Sequence, residues 1–416
     1  MIEIDKEGMV HTSALPKQFG SDFLVLAEGK GVYLYDANGK KYIDFGAGIA
    51  VNALGYGRKD LAKTAYAQMR RLTHTSNLYT SFPTLELGDK IIASAADKGF
   101  PCAAIHFGNS GTEANEAALK YARLYAKRKK GDGNFKILSF SNAFHGRTLG
   151  ALSVTPSPLY QEPFAPLLPG TETRAFNDTQ ALEACLDRSF AGVFVEVIQG
   201  EGGLISMRKD FAESLNRLCA EHDVILIADE VQTGLGRTGT LFASEAVGLA
   251  PDIITLAKPL AGGLPLSATL IPEKINELLK PGEHGGTFGG GPVTTAVAGR
   301  VWDIVTKPSF LAWVQEKGEV LATELEKIAR RHNSGICRTG EVRGKGLFRG
   351  LEIIAPEEKQ ADLMKTILTK ARKKGLLLLR SGKNIIRIAP PLIITAKEIQ
   401  CGAALLAAVL DETLRG

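Results

Sequence analysis

The chain has 416 residues, more than one core of about 150 residues would use, and its 44% hydrophobic and 23% charged content excludes a peptide-sized scaffold and wholesale disorder. Fifty Lys and Arg against 45 Asp and Glu leave a net charge of +5, too weak a field for nucleic acid, so any anionic partner is expected to be small. The five cysteines (Cys102, Cys185, Cys219, Cys337, Cys401) form no C-x-x-C motif and no even framework, and read as packed thiols in a reducing compartment.

The N-terminus, MIEIDKEGMV, lacks the basic and apolar regions of a secretory signal. The longest apolar stretch, Ala403 to Leu410, is far short of the roughly 20 residues that span a bilayer. A cytoplasmic protein with no membrane partner is expected. Residues 1–60, with the turn pair Asn38-Gly39 and Gly46 to Gly48, read as β-hairpin material that joins a smaller lobe.

Farther along, brief β-rich runs alternate with helical patterns. Ala104 to Phe107 leads into a helix from Thr112 to Lys129, then Lys136 to Phe140. Val193 to Val197 leads into a helix from Asp210 to His222, then Val224 to Ala228. The nearly continuous apolar runs suit parallel strands buried on both faces, in an α/β sheet whose ligands bind outside the carboxyl ends of the strands. The charge run Lys127 to Lys130 reads as a solvated helix end that suits the macrodipole. From about Pro292 the pattern shifts to long amphipathic helices, Ser309 to Arg330 and Lys359 to Lys374, with short strands at Leu347 to Ile353 and Ile385 to Ile388. The expected organisation is therefore an N-terminal segment (1–60) joining the small domain, a large domain with a mainly parallel sheet between helices (61–295), and a C-terminal small α+β domain (296–416).

The 45 glycines cluster in short runs that punctuate these elements. Gly234-Leu235-Gly236-Arg237-Thr238-Gly239 matches a dinucleotide fingerprint by letter, but Asp252 precedes the next apolar run instead of ending it, and no Walker A pattern exists, so a nucleotide is disfavoured. Gly108-Asn109-Ser110-Gly111-Thr112 joins a strand to a helix start. It reads equally as a capped helix and as an anion cradle, where free N–H groups and the Ser110 and Thr112 hydroxyls would hold a phosphate. Asp229-Glu230 closes one strand, and a buried acid there is expected to need a cationic partner. Lys258 closes the next strand, either as an exposed strand-end lysine or as a Schiff-base nucleophile. Cradle, strand-end Asp and strand-end Lys in that order point to a cofactor with a phosphate, a protonated ring nitrogen and an aldehyde, which is pyridoxal 5'-phosphate. The seven histidines show no H-x-x-x-H pair, no metal is expected, and His145 reads as structural or functional with equal weight.

The blocks SGTEANEAA, FHGRTLGALS, EVIQGEGG, ADEVQTGLGRTG, ITLAKPLAGGLP and GGTFGGGP stand in the order typical of class III aminotransferases, and with GIAVNALG and RIAPPLIIT the chain resembles their acetylornithine-type members. That resemblance implies a fold-type I pyridoxal-phosphate enzyme and a homodimer with shared active sites, which moves the ω-amino group of N-acetylornithine or a related ω-amino acid to 2-oxoglutarate. Ornithine, succinylornithine and 4-aminobutyrate are the alternative donors. A PLP-fold module that binds without turnover is disfavoured by the presence of Lys258, Asp229 and Arg387.

By the same resemblance, Ser110, Gly111 and Thr112 hold the cofactor phosphate, and Thr287 reaches the phosphate of the neighbouring subunit. Phe144 stacks on the ring, Val231 packs behind it, Asp229 pairs with the ring nitrogen, and Gln232 meets the ring hydroxyl. Lys258 links to the aldehyde and moves the proton. Arg147 and Arg387 hold substrate carboxylates; Glu201 neutralises Arg387 when no carboxylate lies there, and Glu196 supports that region. The chain departs from the family pattern at Tyr56-Gly57-Arg58, where G-H-x-H-P is frequent, and at GGGP, where G-G-N-P is commoner. Phe19 falls near a position where ornithine-type members place a Tyr, and Ile49 near another where ornithine δ-aminotransferases do.

Overall fold

The computed structural model describes residues 3–18 and 20–414, so the departure at Phe19 lies outside the described residues. The chain forms two compact units, Asp60–Trp313 and Met1–Lys59 with Val314–Gly416. Among the described residues no helix is long and apolar enough to cross a membrane.

The larger unit is built on a seven-stranded sheet. In spatial order its strands are Ala104–Gly108, Ser267–Ile271, Ile253–Leu256, Ile225–Asp229, Phe190–Val195, Lys136–Phe140 and Thr171–Arg174. Only Ser267–Ile271 runs against its neighbours. The four strands from Ile253–Leu256 through Lys136–Phe140 pair in parallel, as does Thr171–Arg174 at the edge. The central runs FAGVFV and ILIAD are buried at every residue, as a sheet covered on both faces requires.

Helix Gly111–Lys130 lies across this sheet on an alanine-rich face. Ala117, Ala118 and Ala122 are fully buried against Ile137, Phe194, Ile225 and Ile253. The approach is so close that a Cβ on Gly192 would sit 3.0 Å from the Ala122 methyl, so a side chain there would push the helix off the strand. The cationic end of this helix is not wholly solvated: Lys130 Nζ donates to the carbonyls of Phe190 at 2.7 Å and Asp223 at 2.8 Å, which ties the helix end to the sheet.

The other unit holds two four-stranded sheets. One is antiparallel, in the order Arg338–Lys345, Phe348–Ile354, Ile385–Ile388, Leu379–Ser381. The other joins the chain's two ends, with Lys41–Asp44 paired in parallel to Leu376–Leu377. The boundary after the larger unit falls at Trp313 and not at 295. Helix Pro292–Val305 packs on helix Phe82–Asp97 and on the turn after Lys258, burying Val297, Val301 and Trp302, and the Trp302 indole N–H donates to Ser94 Oγ at 3.0 Å. Its apolar stripe is matched within the larger unit, which is why the change in sequence texture at Pro292 misplaces the boundary.

The two motif departures have local explanations. Ala47, Gly48, Ile49 and Ala50 all have positive φ, between 47° and 63°, a left-handed turn that is costly for a β-branched residue such as Ile49. Buried Asp44 holds it: Oδ1 accepts from the Gly46 and Ala47 N–H groups at 2.8 and 2.9 Å, and Oδ2 accepts from the Tyr56 hydroxyl at 2.6 Å. Tyr56 is therefore a strut for the strained turn. In GGGP, Gly291 sits at the cap of helix Pro292–Val305, a position where glycine costs only a few tenths of a kcal/mol relative to a capping side chain.

Candidate active site

Because the strands run in parallel, one sheet edge collects the residues that follow Gly108, Phe140, Val195, Asp229 and Leu256. The five loops there carry Ser110, Phe144, Glu196, Asp229 and Lys258 to the same rim.

Ser110 takes an extended backbone and caps helix Gly111–Lys130, with Oγ accepting from the Glu113 N–H at 3.4 Å while Glu113 Oε2 accepts from the Asn109 N–H at 2.5 Å. The loop is thus a capped helix start, and it remains a place where N–H groups face outward. A Cβ on Gly111 would lie 2.6 Å from Val231 Cγ1, so the cradle and Val231 touch and only glycine fits. Thr112 Oγ1 is 2.9 Å from Thr148 Oγ1, which ties the cradle to the loop that carries Phe144 and Arg147.

Asp229 is 4% exposed, and where a cationic partner is expected the structure places an imidazole, that of His145, with Nδ1 2.8 Å from Oδ2. Its charge is held by hydrogen-bond donors. Oδ2 accepts from Asn115 Nδ2 at 2.7 Å and from His145 Nδ1 at 2.8 Å, and Oδ1 accepts from the Val231 N–H at 3.0 Å. Its neighbour Glu230 faces elsewhere, accepting from Thr233 Oγ1, the Ala243 and Ser244 N–H groups and the Ser244 hydroxyl, so it clamps the Gly234 to Gly239 loop. Burial pushes the Glu230 carboxyl above the usual range against those donors. The fingerprint-like loop is a run of turns that opens no helix.

Lys258 follows the strand whose Thr255 is in register with Asp229, and it is half-buried with φ 40°, a left-handed conformation unusual for a side-chain-bearing residue at the start of a short turn. Gln232 is 8% exposed, and its Nε2 is buried without a hydrogen-bond partner. Phe144 is half-buried, edge-on to Tyr160 with centroids 6.5 Å apart. The exposed Arg147 guanidinium lies 3.5 Å from the Tyr160 ring centroid and 5.6 Å from that of Phe144, which orients its fork. Glu201 is half-buried and Thr287 exposed. Arg387, 3% exposed on the central strand Ile385–Ile388, belongs to the other unit. Of the cysteines only Cys219 is buried, Cys401 being exposed and the other three half-buried, so the expectation of five packed thiols fails. Among the described residues no cluster of His, Cys, Asp and Glu is placed to hold a metal.

Asn115 and the Asp229 contact of His145 escaped sequence reading. Asn115 lies five residues past Ser110 on a helix whose polar letters read as surface, and only the sheet beneath it makes that position buried. Glu196, 5% exposed, also proves more particular than a general support: Oε1 accepts from the Phe144 N–H at 2.9 Å and Oε2 from the Gly200 N–H at 3.0 Å, linking the Phe144 loop to the Glu201 loop.

Burial raises the Glu196 carboxyl to about 7, with the Asp229 charge adding to the rise and His145 opposing it. Below the ordinary glutamate value of 4.5 both folded and unfolded chains hold this proton. Between 4.5 and about 7 only the folded chain does, so stability falls as pH rises through that window. The loss should be on the order of 2–4 kcal/mol, and Glu196→Gln, which imitates the protonated acid, should flatten it. Urea midpoints of the cofactor-free protein at about pH 4.5 and about pH 7.5 test this, and an unchanged slope in the variant would assign the loss to other groups.

Comparison with known proteins gives the family. Residues 16–410 match the family model described as aminotransferase class-III. The chain is 42% identical over 398 residues to a probable mitochondrial acetylornithine aminotransferase of Dictyostelium discoideum, covering 94% of this chain and 84% of that one. It is 42% identical over 375 residues to a succinylornithine transaminase of Salmonella enteritidis, covering 90% and 89%. The crystal structure of an N-acetylornithine aminotransferase from Stenotrophomonas maltophilia superposes with a TM-score of 0.79 at 32% identity, covering 93% and 95%. The chain belongs to the class III aminotransferases, pyridoxal-phosphate-dependent enzymes of fold-type I.

Proposed function

We propose that the enzyme moves the ω-amino group of N-acetylornithine, or a closely related ω-amino acid, to 2-oxoglutarate, giving the semialdehyde and glutamate. The observation that carries this reading is the gathering of Ser110–Thr112, Asp229 and Lys258 at one sheet edge, and relatives named for acetylornithine and succinylornithine give the substrate class. Ile49, where ornithine δ-aminotransferases carry a Tyr, makes free ornithine the weaker donor.

The residues present fit pyridoxal phosphate. A carboxylate offers about four lone-pair sites, Asp229 uses three, and the fourth suits a ring N–H. The unpartnered Gln232 Nε2 suits a ring hydroxyl oxygen, and the cradle at Ser110, Gly111 and Thr112 suits a phosphate. Phe144 and Val231 would enclose the two faces of the ring. When bound, the group supplies an aldehyde that takes up amines and a ring that withdraws electrons from the adjoining carbon. Asp229 would keep the ring nitrogen protonated, and the Lys258 amine would be displaced by the donor amine and then carry a proton between the two reacting carbons. Arg147 would fix the donor carboxylate with its pre-oriented fork. Lys258 is expected to be the residue tagged when the yellow protein is reduced with borohydride and mapped by mass spectrometry, and a tag on any other lysine would overturn the assignment.

One site must serve two substrates of different charge. An ω-amine brings no carboxylate beside its reacting carbon, whereas 2-oxoglutarate does, so the proposal assigns Arg387 to the keto acid and Glu201 to neutralising it in the amine half-reaction. Glu201→Gln should slow the ω-amine half-reaction roughly tenfold or more and leave the glutamate half-reaction intact, with Arg387→Ala biased the other way. Stopped-flow absorbance of each half-reaction measures this; equal losses in both would make Glu201 structural.

A homodimer is part of the same proposal. Tyr66, Met69, Leu78, Tyr79, Phe82 and Leu85, on and between helices Lys59–Arg71 and Phe82–Asp97, are exposed by 52% to 87%, and Phe288 beside Thr287 by 67%. Apolar side chains in such number favour a protein partner, here a second copy to whose phosphate Thr287 would reach. Sedimentation should give twice the chain mass, and Leu78→Glu with Phe82→Glu should give a monomer of low activity. A fully active monomer would refute the shared site.

A further inference from the structure

We propose that Asn115 and His145 are positioning residues for Asp229, which together decide which of its lone pairs is left for the cofactor ring. The inference rests on the reading of Asp229 as partner of the ring nitrogen, and it assigns a role to two side chains that have none in that reading.

Saturation of one carboxylate oxygen decides where a further donor can bind. Asp229 Oδ2 accepts from Asn115 Nδ2 and His145 Nδ1 at 2.7 and 2.8 Å, which fills both its lone-pair sites. Among the described residues Oδ1 accepts only from the Val231 N–H, at 3.0 Å, so an incoming donor must come to Oδ1. Removing either side chain on Oδ2 opens a second place to bond and lets the carboxylate turn.

Both donors are held from behind. Asn115 is 1% exposed and spends its two amide hydrogens on the His145 carbonyl, at 2.6 Å, and on Asp229. Its Oδ1 accepts from Thr255 Oγ1 at 2.8 Å, so the amide has one orientation that satisfies all three bonds. Thr255 is in register with Asp229 on the neighbouring strand Ile253–Leu256, which Lys258 follows. The strands that deliver the carboxylate and the amine are thereby cross-linked through Asn115. Asn115 also sits five residues beyond Ser110 on one helix, roughly 7.5 Å of rise, so cradle and carboxylate share a rigid element.

His145 is 1% exposed. Its backbone N–H donates to Thr155 Oγ1 at 2.9 Å, and its ring packs 5.3 Å from that of Phe194. A carboxylate accepts and cannot donate, so Nδ1 carries the hydrogen in the bond to Asp229. The other ring nitrogen, Nε2, is buried without a hydrogen-bond partner among the described residues, a cost that an apolar side chain of similar size would avoid. The compensating gain at this position is the Nδ1 bond.

The test uses the cofactor-loaded enzyme and three variants. His145→Leu removes the donor, His145→Asn keeps an amide donor near the Nδ1 position, and Asn115→Asp puts an acceptor where a donor stood. For His145→Leu both half-reactions should slow roughly 10- to 100-fold with half-saturating substrate concentrations changed less than about threefold, as for a second layer of hydrogen bonds around a reactive group. The absorbance titration of the substrate-free loaded enzyme should also shift to higher pH, because a less cationic ring leaves the group linked to Lys258 more basic. His145→Asn should restore both, and Asn115→Asp should move the titration the same way as His145→Leu, which keeps the question answerable if the Leu variant does not fold. An unmoved titration with near wild-type rates in His145→Leu and Asn115→Asp would overturn the proposal, as would equal losses in His145→Leu and His145→Asn. Asp229→Asn separates the two layers: full activity with cofactor bound would refute the role of Asp229 itself, whereas a large loss there beside unaffected His145 and Asn115 variants would refute only the positioning role.

Discussion

A carboxylate sealed at the end of a central strand is the constraint on which the rest of this structure depends. Asp229 is 4% exposed, and an ionised group in such a place is tolerable only where donors replace the water it has lost. Here the replacement is a set of hydrogen-bond donors, each fixed by a different element: Asn115 by the helix above the sheet, His145 by the loop after strand Lys136–Phe140, and Val231 by the turn that follows Asp229 itself. The sheet order serves this purpose. Helix Gly111–Lys130 reaches Asp229 only because its alanine face lies close on the strands, and Gly192 is where that closeness is enforced.

Asp229 and Glu230 illustrate how strand geometry separates two identical charges. Successive side chains point to opposite faces, so adjacent acids that look interchangeable in sequence enter different environments. Asp229 turns toward the rim with one lone-pair site unspent, while Glu230 turns toward the Ala243 and Ser244 N–H groups and two hydroxyls and is saturated. A saturated carboxylate holds a loop in place, and an unsaturated one beside a cradle is available to a ligand. The glycine-rich run that resembles a dinucleotide fingerprint is explained by its dependence on Glu230, with no ligand required.

Much of the larger unit was legible because its signals are local. Strand Lys136–Phe140 follows from an apolar run, and helix Gly111–Lys130 from a cap at Ser110 and a cationic end. Lys258, Asp229 and the cradle were legible because each stands where a strand ends. The unread parts are those that depend on pairings distant in the chain. Asn115, His145, Asp229 and Thr255 converge from four separate elements, and neither period nor motif marks Asn115 as buried. The expected cation beside Asp229 was a reasonable demand of buried charge in general, and amide and imidazole donors meet it here. Helix Pro292–Val305 was assigned to the wrong lobe because amphipathicity shows that a face is buried without showing against what.

The same distinction separates the groups that must stay still from those that must move. In the proposed role beside a cofactor ring, a charge is useful only if it does not reorient when the substrate changes, and Asp229 lies on a strand buried at every residue. The amine proposed to leave one carbon and carry a proton to another would need reach, and Lys258 stands just past its strand, half-buried and in a left-handed conformation at the start of a short turn. Arg147 is likewise on a loop, exposed, with aromatic rings guiding its fork instead of a buried counter-charge fixing it. Glu196 joins the two regimes, since its buried carboxyl group accepts from the N–H groups of Phe144 and Gly200 and so ties together the bases of the two loops. Rigidity at the strand ends and freedom one or two residues beyond them is what a parallel sheet supplies at its carboxyl edge, and it is the combination that a reaction with two different substrates at one site requires.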